Sequence, residues 1–176
     1  RRAKVATSHT NWISSMCVFR RLFIFIIFGL STISFTSAAE TVELKPNDAV
    51  YVKMGKTVYM EQCASCHGIN LEGQDGWRNT KVDGMRLAPP HDKSGHTWHH
   101  ADEVLFNLTK YGFKAMISED YEVSMPVYDG IIKDHEIVAV LSYIKSTWPA
   151  DITEIHDKIN SDYKSNRAMK EKMGGS

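Results

Sequence analysis

Cys63-Ala64-Ser65-Cys66-His67 is the stretch that decides the fold, because it places two cysteines three positions apart and a histidine directly after them. On one helical turn, both thiols can reach the two vinyl groups at one edge of a porphyrin and form thioethers. The histidine then points its imidazole at the iron. This spacing is typical of c-type haem attachment. We therefore expect Cys63 and Cys66 to carry the thioethers and His67 to be an axial ligand.

Two other uses of a C-x-x-C pair stay open at this stage, a redox dithiol and half of a zinc site. Zinc would need ligands from a second cluster, and Cys17 is the only other cysteine in the chain. A thioredoxin-like motif would need a βαβ pattern, which the sequence lacks. The motif occurs once, so we expect one haem.

Charge separates an N-terminal leader from the rest of the 176-residue chain, whose formal net charge is zero. Residues 1–39 hold five basic groups and no acidic group, which leaves 16 lysines and arginines against 21 acidic residues, a charge of −5. An acidic domain argues against a nucleic-acid partner, whose phosphates need a basic face. It favours a protein partner with a basic patch.

The leader, residues 1–39, is interpreted as a secretory signal peptide. Arg20 and Arg21 precede the apolar run 22–30, and the small residues 37–39 offer a cleavage site. A run of nine residues is short for a span, which needs about 20, although a retained N-terminal anchor remains the alternative. Residues 1–15 are polar and basic, so Met16 is the predicted start. Export to the periplasm agrees with the motif, since haem is attached outside the bacterial cytoplasm.

Helix signals predict a small helical domain over residues 40–149. A helix is expected from a cap at Asn47 or Asp48 to about Cys63, with Gly55 allowing close approach of a second helix. After a glycine-rich loop, residues 68–92, a helix should cover 101–112 with a core face of Val104, Leu105, Leu108 and Tyr111. A last helix, 133–148, should cross the first near Gly55, with Tyr59 and Tyr143 at the contact.

The charged tail, residues 150–176, is expected to make one or two helical turns and to fray beyond about Lys164. His135 and His156 are interpreted as surface residues.

Three further residues are candidates for holding the haem. A ligating histidine usually gives its other ring N–H to a carbonyl, and Pro89 is the candidate for presenting one. Met125 is the predicted second axial ligand, since a thioether facing the iron raises the potential and Pro126 stiffens the backbone; Met116 and Met85 are the alternatives. Trp98 could donate its indole N–H to a haem propionate.

Four histidines lie within ten positions of the loop that ends at the third helix: His91, His96, His99 and His100. Imidazole is a good ligand for copper and other late transition metals, so a metal site is one interpretation. Solvated loop histidines are the other.

These motifs together resemble the monohaem class I cytochromes c of bacteria, from about Asn47 to Pro149. The loop Leu87-Ala-Pro-Pro90 to Gly95-His-Thr-Trp-His-His100 is similar to a subgroup of exported proteobacterial cytochromes c. The resemblance implies an all-α fold of about four helices wrapped around one covalent haem. It also implies thioethers at Cys63 and Cys66, iron ligation by His67 and Met125, support of His67 by Pro89, and a propionate contact at Trp98. Lys133 departs from the family, where a better helix cap is common.

The expected function is that of a monomeric periplasmic one-electron carrier, not an enzyme. Its partners would be a respiratory reductase upstream and a terminal oxidase or another reductase downstream, with no nucleic acid, and a membrane only if the leader is retained. A copper-handling or sensing haem protein that uses residues 91–100 is the alternative. A peroxidase-like protein is a third hypothesis, and it would need an open iron.

Overall fold

The computed structural model describes residues 41–174, and this part of the chain is mostly helical. The leader, with Cys17 and the predicted start at Met16, lies outside the described residues. No helix in the described range is long and apolar enough to cross a membrane. The all-α prediction is confirmed. The elements in chain order are α1 (Ala49–Gln62), α2 (Ala64–His67), β1 (Lys81–Val82), β2 (Met85–Arg86), a 3-10 turn (Thr97–His99), α3 (Asp102–Met116), α4 (Asp134–Ser146) and α5 (Ala150–Gly174).

Helix α1 begins where the sequence predicts. The Asp48 carboxylate accepts hydrogen bonds from the backbone N–H groups of Val50 and Tyr51, at 2.9 and 3.2 Å. These are donors that the first helical turn otherwise leaves without a partner. Asp48 is therefore the N-cap of the helix.

Helices α1 and α4 cross at Gly55, as expected. A Cβ atom at this position would lie 1.9 Å from the carbonyl oxygen of Ala139, so only glycine allows this approach. The rings of Tyr59 and Tyr143 lie beside the crossing with centroids 5.5 Å apart. The crossing brings both ends of the predicted domain together at one buried core.

The glycine-rich loop contains a short β-hairpin with a two-residue turn, whereas the sequence predicted no regular element there. Lys81 pairs with Arg86, and Val82 pairs with Met85. Asp83 and Gly84 between them have φ values of 52° and 81°. An Asp-Gly pair favours this turn because both positions need a positive φ.

Helix α3 is interrupted at Gly112, the predicted end, but continues to Met116. Gly112 has a φ of 82°, and the chain becomes helical again on its far side. The predicted core face is correct for Leu105 and Leu108 and wrong for Tyr111, which is 44% exposed. Phe106 is buried instead. Both residues lie at an edge of the apolar face, where the 3.6-residue period does not decide which side chain is buried.

Helix α4 begins within one residue of its predicted start, although Lys133 is a poor cap. The Glu136 carboxylate accepts the backbone N–H of Lys133 at 2.7 Å. Glu136 thus makes the half of a capping box that does not need the cap side chain, and its own N–H donates to the Lys133 carbonyl at 2.8 Å.

The tail is a single helix, α5, and the expectation of fraying beyond Lys164 is wrong. The interpretation of His156 as a surface residue is also wrong, since it is fully buried, whereas His135 is exposed as expected. Buried hydrogen bonds explain this difference. Asn160 exchanges two bonds with Asp102, at 2.7 and 3.0 Å, and His156 Nε2 donates to the His100 carbonyl at 3.0 Å. The polar residues on the inner face of α5 made the sequence pattern predict a solvated surface.

Candidate functional site

The two cysteines and the histidine of the motif lie within one helical turn, where α1 ends and α2 begins. Cys63 ends α1, where its N–H donates to the Tyr59 carbonyl at 2.9 Å, and α2 follows at once. His67 N–H donates to the Cys63 carbonyl at 2.9 Å, so the motif closes one turn. Cys63 is half-buried and Cys66 is exposed, and they do not form a disulfide with each other. Burial, followed by the neighbouring Cys66, raises the pKa of the Cys63 thiol to about 11.

His67 is buried and oriented by one hydrogen bond. Its Nδ1 lies 2.8 Å from the Pro89 carbonyl oxygen. A carbonyl can only accept, so Nδ1 carries the hydrogen and Nε2 keeps its lone pair. Burial lowers the pKa of His67 although the Pro89 bond opposes that shift. The structure thus presents a neutral imidazole with one free nitrogen, the form that ligates iron.

Backbone bonds across the loop fix the Pro89 carbonyl. Gln74 N–H donates to the Ala88 carbonyl at 2.9 Å, and Ala88 N–H donates back to the Gln74 side chain at 2.7 Å. Gly73 has a φ of 70°, and a Cβ there would lie 2.4 Å from Pro90 N. Its own N–H donates to the His67 carbonyl at 2.8 Å. The loop between His67 and Pro89 is therefore closed on itself at both ends.

Sequence reasoning missed the role of His91, which it treated only as part of a histidine cluster. The His91 ring stacks on the His67 ring, with centroids 4.0 Å apart and planes 24° from parallel. Burial lowers the pKa of His91 well below its ordinary value, so this ring is also neutral. The sequence shows that His91 directly follows Pro89 and Pro90, but no pattern in it predicts the contact with the His67 ring.

The other loop histidines pair with aromatic rings. His96 stacks on Trp77 at 5.5 Å and meets the edge of His100, and His99 stacks on Trp98 at 3.7 Å. Within residues 41–174 no three histidine, cysteine or acidic side chains are grouped so as to hold a metal ion. The arrangement does not favour the copper interpretation.

Trp98 carries the one polar side-chain atom in the described range that is buried without a hydrogen-bond partner, its indole Nε1. A buried N–H without a partner is costly and rare in proteins. A carboxylate of a bound group, such as a haem propionate, would satisfy it. The orphaned donor therefore fits the predicted haem.

Met125 is half-buried and lies in an irregular segment between α3 and α4. Ahead of it, Arg86 of the hairpin donates its N–H to the Glu122 carbonyl at 3.1 Å. Behind it, the Tyr128 hydroxyl donates to the Gln62 carbonyl at 2.7 Å, next to Cys63. Tyr128 thus joins the methionine segment to the end of α1, a contact that the sequence did not predict. The alternatives, Met116 and Met85, are both exposed.

The sequence model of the family described as "Cytochrome c" matches residues 52–148, more than half of the chain. Two relatives are the "Cbb3-type cytochrome c oxidase subunit FixP" of Bradyrhizobium diazoefficiens, 28% identical over 94 residues, and a "Nitrite reductase" of Stutzerimonas stutzeri, 31% identical over 98 residues. Each match covers 52% of this chain, but only 29% of the first relative and 15% of the second. The chain therefore spans less than a third of either relative. No solved structure matches it.

Proposed function

Because the chain belongs to the cytochrome c family, which implies electron transfer through covalently bound haem c, we propose that it is a periplasmic one-electron carrier with a single haem. When bound, haem supplies an iron that gains and loses one electron. In this proposal Cys63 and Cys66 would form the thioethers, and His67 Nε2 and the Met125 thioether would ligate the iron. The hydrogen bond from His67 Nδ1 to the Pro89 carbonyl is the observation that carries the proposal.

The contacts of three residues around this site indicate a role for each of them. Pro89 fixes the tautomer of His67, so that the free lone pair lies on Nε2. Trp98 donates its unpartnered indole N–H to a propionate. Tyr128 ties the segment of Met125 to the end of α1, which sets the approach of the thioether. With His67 and Met125 as ligands, the iron would have no position left for a substrate, so we propose that the protein is a carrier and not an enzyme.

Redox proteins are the proposed partners. The names of the relatives refer to an oxidase subunit and a nitrite reductase, which supports a respiratory reductase upstream and a terminal oxidase or another reductase downstream. Residues 40–176 carry a net charge of −5, so docking should involve a basic patch on the partner and weaken with salt. Stopped-flow rates with an isolated oxidase should fall as ionic strength rises. Rates that do not change with ionic strength would argue against this mode of docking.

Absorption spectra of the purified exported protein test the axial ligands. Oxidised wild type should show the weak far-red band of methionine–iron ligation, and Met125→Ala should lose it. The matched controls are Met116→Ala and Met85→Ala, which alter exposed methionines and should keep the band. A wild-type haem spectrum without the band would instead support an open or histidine-ligated iron and a peroxidase-like protein.

The number of haems and their linkage have a separate test. The mass of the exported wild-type protein should exceed that of its polypeptide by one haem. Cys63→Ala and Cys66→Ala should each shift the pyridine haemochrome band, because each removes one thioether. A mass equal to that of the bare polypeptide would exclude covalent haem in this chain.

A further inference from the structure

We propose that His91 is a positioning residue for the iron ligand, and that its imidazole sets the plane of the His67 ring. The inference rests on the proposed function, because it assumes that His67 ligates the iron. The geometry that carries it is the ring stack, with centroids 4.0 Å apart and planes 24° from parallel.

The hydrogen bond from His67 to Pro89 leaves one degree of freedom open. A single bond at Nδ1, 2.8 Å long, fixes the direction in which that nitrogen points. The ring can still tilt about its Cβ–Cγ bond within the angular tolerance of a hydrogen bond, so this bond alone does not define the ring plane. A flat surface against one face of the ring removes that freedom. His91 supplies this surface.

His91 is itself held at three points by buried residues. Its N–H donates to the Leu71 carbonyl at 2.8 Å, and its carbonyl accepts the indole N–H of Trp148 at 2.8 Å. Its Nδ1 and the Thr97 hydroxyl share a hydrogen bond of 2.8 Å. Leu71, Thr97 and Trp148 are all buried. A side chain with both its backbone and its ring anchored can orient a neighbouring ligand.

An imidazole suits this position better than an aliphatic side chain. A flat ring matches the flat face of His67, and Nδ1 satisfies the buried hydroxyl of Thr97. The edge of the Tyr59 ring limits movement of His91 on another side, at a centroid distance of 6.4 Å and an angle of 73°. Leucine at position 91 would fill part of the space but would leave the Thr97 hydroxyl without its partner and the His67 face without a plane.

The ligand plane has a direct spectroscopic signature. In oxidised low-spin iron, the orientation of an axial imidazole sets the splitting of the metal d orbitals, and the g values of the electron paramagnetic resonance spectrum report that splitting. A residue that only stabilises the fold would leave these values unchanged as long as haem stays attached. The g values therefore separate a positioning role from a structural one.

The experiment compares haem-loaded wild type with His91→Leu, His91→Phe and Thr97→Val. His91→Leu removes the stacked ring and should give the largest shift in g values, accompanied by a changed reduction potential. His91→Phe keeps a flat ring and should shift them less, while Thr97→Val keeps the imidazole but frees it and should give an intermediate shift. His96→Leu, in the same loop but exposed and stacked on Trp77, is the matched control and should match wild type.

Wild-type g values and potential in His91→Leu and Thr97→Val, with haem fully attached, would overturn the inference. If His91→Leu does not fold, His91→Phe and Thr97→Val decide it, and wild-type values in both would overturn it. A failure of the proposed function looks different. A wild-type protein without the methionine band would refute Met125 as a ligand, yet the shifts among these variants would still report the plane of His67.

Discussion

Two helix contacts in this molecule are built from opposite kinds of side chain. Where α1 crosses α4, Gly55 lies against the backbone of Ala139, and apolar residues such as Ile137 and Val140 fill the core around it. Where α5 packs against the start of α3, the buried residues of α5 are polar, His156 and Asn160. The first contact is defined by shape, and the second by the pairing of donors with acceptors.

This difference determines how each contact fails. Apolar burial has no direction, so the α1–α4 crossing depends on how closely the two backbones approach. A buried polar group gains little from a hydrogen bond but loses much when its partner is removed. The crossing should therefore be sensitive to added volume, and the α5 contact to the loss of a single acceptor.

Gly55→Ala should have the largest effect on stability. Its Cβ would lie 1.9 Å from the Ala139 carbonyl oxygen, a backbone atom that can move only if the helices separate. Overpacking of this kind costs about 3 kcal/mol or more at a site that cannot relax, which outweighs the ~1 kcal/mol that alanine gains over glycine in a helix. Guanidinium unfolding of the haem-loaded protein measures the loss. Lys56→Ala, one position on and exposed, should be near neutral, and a Gly55→Ala protein as stable as wild type would show that the crossing yields.

Asp102→Ala should break the α5 contact by removing an acceptor rather than by adding volume. The carboxylate accepts the Leu44 N–H and the Asn160 amide, each at 3.0 Å. Alanine leaves the Leu44 N–H without a partner and leaves the Asn160 amide only its 3.3 Å contact with His156 Nδ1. Stranded buried donors of this kind cost about 1–3 kcal/mol. Guanidinium unfolding measures the total loss in the free energy of unfolding. Hydrogen exchange in the Asp102→Ala variant should show weaker protection in α5 than in α1. Asp162→Ala removes only an exposed pair with Lys158 and is the control; equal losses in both variants would refute the role of the buried network.

The α5 contact should also depend on pH through His156. Burial, followed by the nearby Lys145 ammonium, holds the pKa of His156 below its ordinary 6.5, although Asp102 and Asp157 oppose the shift. Between the folded-state pKa and 6.5 the unfolded chain binds a proton that the folded chain does not. Stability is therefore complete above pH 6.5 and falls as the pH drops, by at most about 1.4 kcal/mol per unit.

His156→Gln tests this dependence, since an amide can still donate to the His100 carbonyl but does not titrate. The variant should lose stability less steeply than wild type between pH 6.5 and 5. The other histidines stay in both proteins, so the difference between the two slopes isolates His156. His135→Gln, on exposed α4 surface, should keep the wild-type slope. Parallel slopes for wild type and His156→Gln would mean that His156 does not link pH to stability.

The same contrast explains how much could be predicted from the sequence. Apolar period and a mid-helix glycine predicted the crossing at Gly55, and Asp48 predicted the start of α1, because both signals are local. His156 and Asn160 carried no such signal, since the sequence does not distinguish a polar residue that is buried with a partner from one that is exposed to water. The stacking of His91 on His67 was missed for a related reason. It depends on a loop of more than twenty residues closing on itself, which no short pattern records.

The smallest expected effect concerns the α1–α4 crossing, where the pair of tyrosine rings should add to the stability that close packing provides. Tyr59 and Tyr143 have ring centroids 5.5 Å apart and a tilt of 55°, and such pairs contribute ~1 kcal/mol beyond their buried area. A double-mutant cycle with Tyr59→Leu, Tyr143→Leu and the double variant isolates that term, because each single loss of volume cancels. A coupling of about 1 kcal/mol is expected. A coupling near zero would mean that the crossing depends on Gly55 alone. In that case the contrast with α5 becomes sharper, since one contact would depend purely on close approach and the other purely on paired polar groups.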